Sequence, residues 1–169
     1  MQTKRQEVLM KKMEIKEYLK NKGITFKEVT HQAVYTVEES KKLNIHDELK
    51  GIHSKNLFLK NRKGNKFYLI ILPENKKLDL ELFENKLNEK LKFANEEELK
   101  EILGLTRGAV TPFGLINDAE SKVNIIIDKE ILESDYVNFH PNVNTATLNL
   151  SKKDFQKYLS SLKNEVTIT

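Results

Sequence analysis

The sequence predicts an α+β fold organised around a mixed β-sheet, and three observations lead there. Strand-like apolar runs such as Phe67 to Leu72 and Val123 to Ile127 are interspersed with segments of helical periodicity. Several successive strand candidates are separated by turns rather than by helical crossovers, which disfavours a doubly wound parallel sheet. The 169 residues contain no repeat, linker or low-complexity stretch, so one compact core is expected over residues 1–169, with residues 1–6 frayed.

Each element follows from local chemistry. From Gln6 to Lys20, Leu9, Met13, Ile15, Tyr18 and Leu19 recur at helical spacing among lysines and glutamates, and Gly23 follows as a stop. A short strand is expected around Thr25 to Val29. Thr36 and Glu39 have capping-box spacing, the hydroxyl accepting from the Glu39 amide while the carboxylate returns the bond, and they predict a short helix to Leu43. Asn56 to Lys60 and Lys66 to Leu72 read as strands joined through residues 61–65, where Gly64 supplies the positive φ of a hairpin turn, and Pro73 ends the second strand. Helices are predicted from Asp79 to Asn88 and from Asn95 to Leu103, with Asn95 as cap, Glu98 three residues on and Gly104 behind; Leu91 to Phe93 is a short strand between them. Leu105 to Gly114 fits neither period and carries two glycines and a proline, so it reads as a loop, though an unusually apolar one. Strands follow at Val123 to Asp128, Tyr136 to Phe139 and Thr145 to Leu150. Ser151 and Asp154 open a last helix through Leu162, and Val166 to Ile168 adds an edge strand.

Composition removes several chemistries. Without cysteine the chain has no disulfide, no thiolate nucleophile and no thiolate metal site. No stretch reaches the roughly 20 apolar residues of a membrane span, and the N-terminus lacks an apolar segment of signal-peptide length, so a soluble cytoplasmic protein with no membrane partner is expected. The net charge of +4 and pI near 9.0 suit a polyanionic partner. Only Arg5, Arg62 and Arg107 among the 29 basic residues are arginine, so the charge is mostly lysine, and much of it reads equally well as solvated surface.

No nucleophile elbow, phosphate-binding glycine loop, HExxH helix or dinucleotide fingerprint is present. The histidines are His31, His46, His53 and His140. None pairs with another at a ligand spacing, so no metal is expected, and the first three read as surface or supporting residues. Three polar groups stand out beside apolar strands and glycine-containing turns: SKNLFLK at 54–60, GAVTPFGL at 108–115 and VNFHPNVNT at 137–145.

These segments resemble, in the same order, the signatures of the YbaK/prolyl-tRNA-synthetase-associated editing family: its lysine-asparagine strand, its GxxxP loop and its late NFHP segment. The likeness runs from about Met13 to the C-terminus, and the runs TPFGL and NFHPNVNTA are most similar to the freestanding alanyl-tRNA(Pro) deacylases. The resemblance implies a mostly antiparallel mixed sheet that forms a pocket for the aminoacylated 3′ end of tRNA, with helices packed outside. It implies ester hydrolysis without a metal or cofactor, the CCA-3′ acceptor end as partner, and prolyl-tRNA synthetase as a second partner. Lys55 matches the family's essential lysine, Asn56 its neighbour, Gly108 and Pro112 the GxxxP pair, and His140 the histidine of the late segment.

The residue types suit that chemistry. An aminoacyl ester is already activated and needs positioning, a water and stabilisation of a developing oxyanion, not a thiol or serine nucleophile. Lys55, Gly108 and Pro112 are therefore expected to form the catalytic set, and Asn56, Thr111, Phe113, Gly114 and His140 to bind substrate. Lys55 would place its ammonium against a terminal phosphate or the carbonyl oxygen, and loop amides freed between Gly108 and Gly114 would donate to that oxygen. A ribose hydroxyl of the substrate is the implied proton acceptor. Asn56 either orients Lys55 or satisfies a strand end; His140, extended before Pro141, either contacts substrate or is a hydrogen-bonded turn residue. Two other readings stay open: a deacylase for Cys-tRNA(Pro) or another small amino acid, and a non-catalytic tRNA-binding regulator on the same scaffold.

Overall fold

A computed structural model describes residues 3–33, 35–42 and 48–169. His46 and the expected end of the second helix at Leu43 lie outside these residues. The first helix, α1 (Lys4–Asn21), begins two residues earlier than the periodicity indicates, because Thr3 and Gln6 form a capping box: the Gln6 amide donates to the Thr3 hydroxyl at 3.2 Å and the Thr3 amide to the Gln6 side chain at 2.8 Å. Then follow β1 (Lys27–Thr30), α2 (Val37–Lys42), β2 (Ile52–Asn61), β3 (Phe67–Pro73), α3 (Leu80–Leu87), β4 (Leu91–Phe93) and α4 (Glu96–Leu103). A 3₁₀ segment (Pro112–Asn117) leads into β5 (Val123–Ile127), α5 (Lys129–Glu133), β6 (Tyr136–Phe139), β7 (Ala146–Ser151), α6 (Lys152–Ser161) and β8 (Val166–Ile168).

The sheet runs β1-β7-β6-β2-β3-β5-β8, with β4 attached to β2. Pairings β1–β7, β6–β7, β2–β3 and β2–β4 are antiparallel, and β2–β6, β3–β5 and β5–β8 are parallel. The expected α+β class and mixed, mostly antiparallel sheet are therefore what the chain adopts. The hairpin forms as read: Gly64 has φ +77°, and the Asn61 side chain accepts from the amides of Asn65 and Lys66.

Strand β3 is buried throughout because both faces of the sheet are covered. Phe67, Leu69 and Ile71 meet the larger core with Ile15 and Leu19 of α1, Leu99 and Leu103 of α4, Ile131 of α5 and Phe155 and Tyr158 of α6. Tyr68, Ile70 and Leu72 face the opposite way, onto Phe83 of α3, Leu91 and Ile126. Burial of a large aliphatic side chain is worth about 1.5–3 kcal/mol, so this alternation fixes the register of the central strands.

Three local readings differ from the structure. β2 starts at Ile52, four residues before the expected strand, because Ile52 to Lys55 lack apolar alternation yet still pair with β3 and β6. Helix α5 has only five residues, too short to show a period. The Glu39 amide does donate to the Thr36 hydroxyl at 3.1 Å, but the Glu39 carboxylate accepts from the amide of Tyr35 rather than that of Thr36.

Candidate active site

The site lies where the sheet forks. Along one edge of β2, β6 pairs only with Ile52 and His53, and β4 pairs only with Leu59, Lys60 and Asn61. Between these contacts β2 has no strand on that edge, although its other edge remains paired to β3 from Ser54 to Lys60. A cavity of about 270 Å³ occupies the opening. That is below the roughly 300–1,000 Å³ typical of small-molecule pockets, so it suits one end of a substrate rather than a whole large ligand.

Four expected site residues border this cavity: Lys55 and Asn56 from β2, Gly108 from the loop after α4, and His140 from the turn after β6. Lys55 is half-buried, and no carboxylate among the described residues forms an ion pair with its ammonium. Its charge is thus held in a half-buried cleft without an ion-pair partner among the described residues, where an anionic or strongly polarised ligand gains most.

The orientation of Asn56 is fixed by its neighbour. The Ser54 hydroxyl gives its proton to the carbonyl of Asn138 (3.4 Å), so it can only accept from Asn56, whose amide nitrogen lies 3.2 Å away. The Asn56 side-chain oxygen is therefore turned away from Ser54, and it has no hydrogen-bond donor among the described residues.

His140 is equally constrained. Its Nδ1 lies 2.9 Å from the carbonyl oxygen of Ala146, which can only accept, so Nδ1 carries the proton and Nε2 is left as a lone-pair acceptor. Burial holds its pKa below the ordinary 6.5; the Ala146 carbonyl opposes this, and nearby His31, with ring centres 6.0 Å apart, adds to it. His31 bonds the Gln32 carbonyl through Nδ1 (2.7 Å) and the Thr147 hydroxyl through Nε2 (2.9 Å), so it supports the wall behind His140.

The glycine-proline loop divides into a face and a foundation. Gly108, at φ +88°, packs against Tyr35 so closely that a Cβ would stand 2.6 Å from the ring. Gly108 and Val110 border the cavity, and their amides have no acceptor among the described residues. Thr111, Pro112, Phe113 and Gly114 lie behind the wall, buried and not bordering the cavity. The Phe113 and Gly114 amides are used internally, on the Thr111 hydroxyl and carbonyl. The Pro112 carbonyl accepts from the Tyr158 hydroxyl at 2.6 Å, and Phe113 meets the rings of Phe139 and Tyr158 edge-on. This aromatic packing explains the apolar character of the loop sequence.

Several cavity residues were not picked out from the sequence: Tyr35, Glu74 and Thr147 lie in no motif, Ser54 and Asn138 lie inside the segments singled out without being chosen, Thr36 reads only as a helix cap, and His53, read as a surface or supporting residue, borders the cavity. Only the folded chain brings these residues together. Among the described residues no group of three or more His, Asp or Glu side chains is placed to hold a metal ion. No helix among them is long and apolar enough to cross a membrane.

Comparison with known proteins bears directly on this cleft. The family model described as an aminoacyl-tRNA editing domain matches residues 31–158, the span that contains every cavity residue. The prolyl-tRNA editing protein ProX of Acetoanaerobium sticklandii is 39% identical over 139 residues, covering 82% of this chain and 84% of that protein. The prolyl-tRNA synthetase associated domain-containing protein 1 of Bos taurus is 36% identical over 138 residues, 79% of each chain. A crystal structure described as a candidate trans-editing enzyme for prolyl tRNA synthetase superposes with a TM-score of 0.70 at 20% identity, covering 94% of this chain and 95% of that one. The last likeness speaks for the fold alone.

Proposed function

Because the chain belongs to the aminoacyl-tRNA editing domain family, we propose that it hydrolyses the ester joining a wrongly attached amino acid to the 3′ end of tRNA, with alanyl-tRNA(Pro) as its substrate. The observation that carries this reading is the convergence of Lys55, Asn56, Gly108 and His140 on one small cavity at an open sheet edge.

The roles follow from the groups available. Lys55 holds the terminal phosphate or the ester carbonyl by charge, and the free amides of Gly108 and Val110 point donors at the oxyanion as it forms. Asn56 receives a donor that the protein does not supply, the substrate ammonium or a ribose hydroxyl. The His140 Nε2 lone pair accepts from the ribose, whose hydroxyl assists the attacking water. Pro112, with Thr111, Phe113 and Gly114, keeps the loop in place from behind. No step requires a metal, and turnover should persist after chelator treatment.

The physiological rationale is a limit on recognition. A site built for proline gains only about 1–3 kcal/mol against a smaller competitor lacking a methylene group, so a second pocket that admits alanine is needed downstream. The acceptor end would enter as a single strand, recognised by phosphate, 2′-OH and stacking contacts. Free tRNA places the reaction in the cytoplasm, beside prolyl-tRNA synthetase as the source of the error.

Deacylation assays with Ala-tRNA(Pro), Cys-tRNA(Pro) and Pro-tRNA(Pro) test the proposal. Hydrolysis of the alanyl ester with sparing of the prolyl one is expected. Preference for the cysteinyl ester would reassign the substrate, and binding of all three without turnover would make the protein a tRNA-binding regulator.

A further inference from the structure

The fork that opens the cavity is held by two buried asparagines. Asn138, on β6, donates from its side-chain amide to the carbonyls of Lys50 (3.0 Å) and Ile52 (3.1 Å). Asn149, on β7, donates to the same Lys50 carbonyl (2.8 Å) and to the side-chain oxygen of Asn138 (2.8 Å). Every N–H of the two amides is used, and the bond from Asn149 dictates which end of the Asn138 amide faces β2.

Their location gives the arrangement a consequence. β6 and β2 share a register of only two residue pairs, Ile52 with Val137 and His53 with Asn138, before they diverge around the cavity. Lys55 and Asn56 follow immediately on one branch, and His140 on the other. Gly51 enters the fork at φ +92° with its Cα against the Tyr136 carbonyl, so a side chain there has no room. The lateral distance between the branches is therefore set chiefly by side-chain amides rather than by a backbone ladder.

We propose that Asn149, which does not border the cavity, is a positioning residue for the deacylation reaction: acting through Asn138, it fixes β2 against β6 and so fixes Lys55 and Asn56 against His140. The inference rests on the deacylase reading. Reactions that depend on placement can lose about 10²-fold for a displacement near 1 Å, and a loosened fork moves both branches of the site at once.

The molecule contains its own control. Asn164 is an equally buried amide that donates to the Asp118 carboxylate (2.9 Å) and the Val123 carbonyl (2.8 Å), at the far flank of the sheet. Asn149→Ala and Asn164→Ala each remove two side-chain hydrogen bonds from comparable depths, and the bond from Asn164 to Asp118 is charge-assisted, so the control loses at least as much stability. Kinetics on Ala-tRNA(Pro), well below either melting point, should show kcat down about tenfold or more for N149A with KM within twofold, and N164A unchanged. Asn149→Ser, which keeps a single donor, should fall between wild type and N149A, and serves in its place if N149A does not fold. Hydrogen exchange on the free proteins should show faster exchange from Ile52 to Asn56 in N149A or N149S and not in N164A. Equal kcat losses in the two alanine variants, tracking their melting temperatures, would overturn the proposal, as would full kcat in N149A. An inactive wild type with the exchange pattern intact would instead sink the deacylase reading and leave the asparagine clamp as architecture.

Discussion

The two flanks of β2–β3 are built on opposite principles. From β3 through β5 to β8 the strands pair without interruption, five residue pairs and then three; β3 and most of β5 are apolar and buried, and only the short edge strand β8 is exposed. From β2 to β6 only two pairs form, polar side chains take over from the ladder, and the cavity enters the sheet. The difference shows how one sheet combines a closely paired floor with an opening: the buried core is concentrated where the strands stay together, and the cavity lies where they part.

The largest effect that would sharpen this contrast is at Lys55. Lys55→Ala should lower deacylation by roughly 10²-fold or more while shifting the melting temperature by no more than a surface substitution does, because no ion pair is lost. Initial rates and calorimetry check this, and a steep fall in melting temperature would make the lysine part of the floor. The converse substitution is Ile71→Ala, at a fully buried position of β3. It should cost about 2–5 kcal/mol in urea denaturation and leave kcat of the folded fraction nearly unchanged; a matching loss of kcat would mean that the two flanks are not separable.

A smaller effect is expected from pH. His140 is held neutral by burial, with a pKa below 6.5. The rate should be level through neutral pH and decline only on acidification past that value, as Nε2 takes a proton. Stability moves in the same direction: the unfolded chain binds the proton more readily, so the favourable contribution is present above pH 6.5 and is lost as pH falls below it. His140→Gln should abolish the acid limb of the rate profile. An unchanged limb in that variant would assign the titration elsewhere.

Much of the fold was legible because its signals are local. The capping box at Asn95, the Thr36 hydroxyl that accepts from Glu39, the Gly64 turn and the alternation through β3 each need only a few neighbouring residues. The opening was far less legible. The polar start of β2 looks like loop because its edge faces a cavity, and Asn138 and Asn149 look like ordinary strand polar residues until β6 and β7 are set beside Lys50. Within the site, motif resemblance located Lys55, Asn56, Gly108 and His140 at the cavity. It could not distinguish those from Thr111, Pro112, Phe113 and Gly114, since a motif records which residues recur together and not which face the substrate.

The bond from Tyr158 to the Pro112 carbonyl has a consequence for biosynthesis. The loop that presents Gly108 is braced by Tyr158, 46 positions beyond Pro112, so the cleft acquires its final shape only after α6 has been made. A nascent chain halted before α6 would carry Lys55, Asn56 and His140 yet lack the brace, so the cleft would take its shape in one step rather than by gradual accumulation with length.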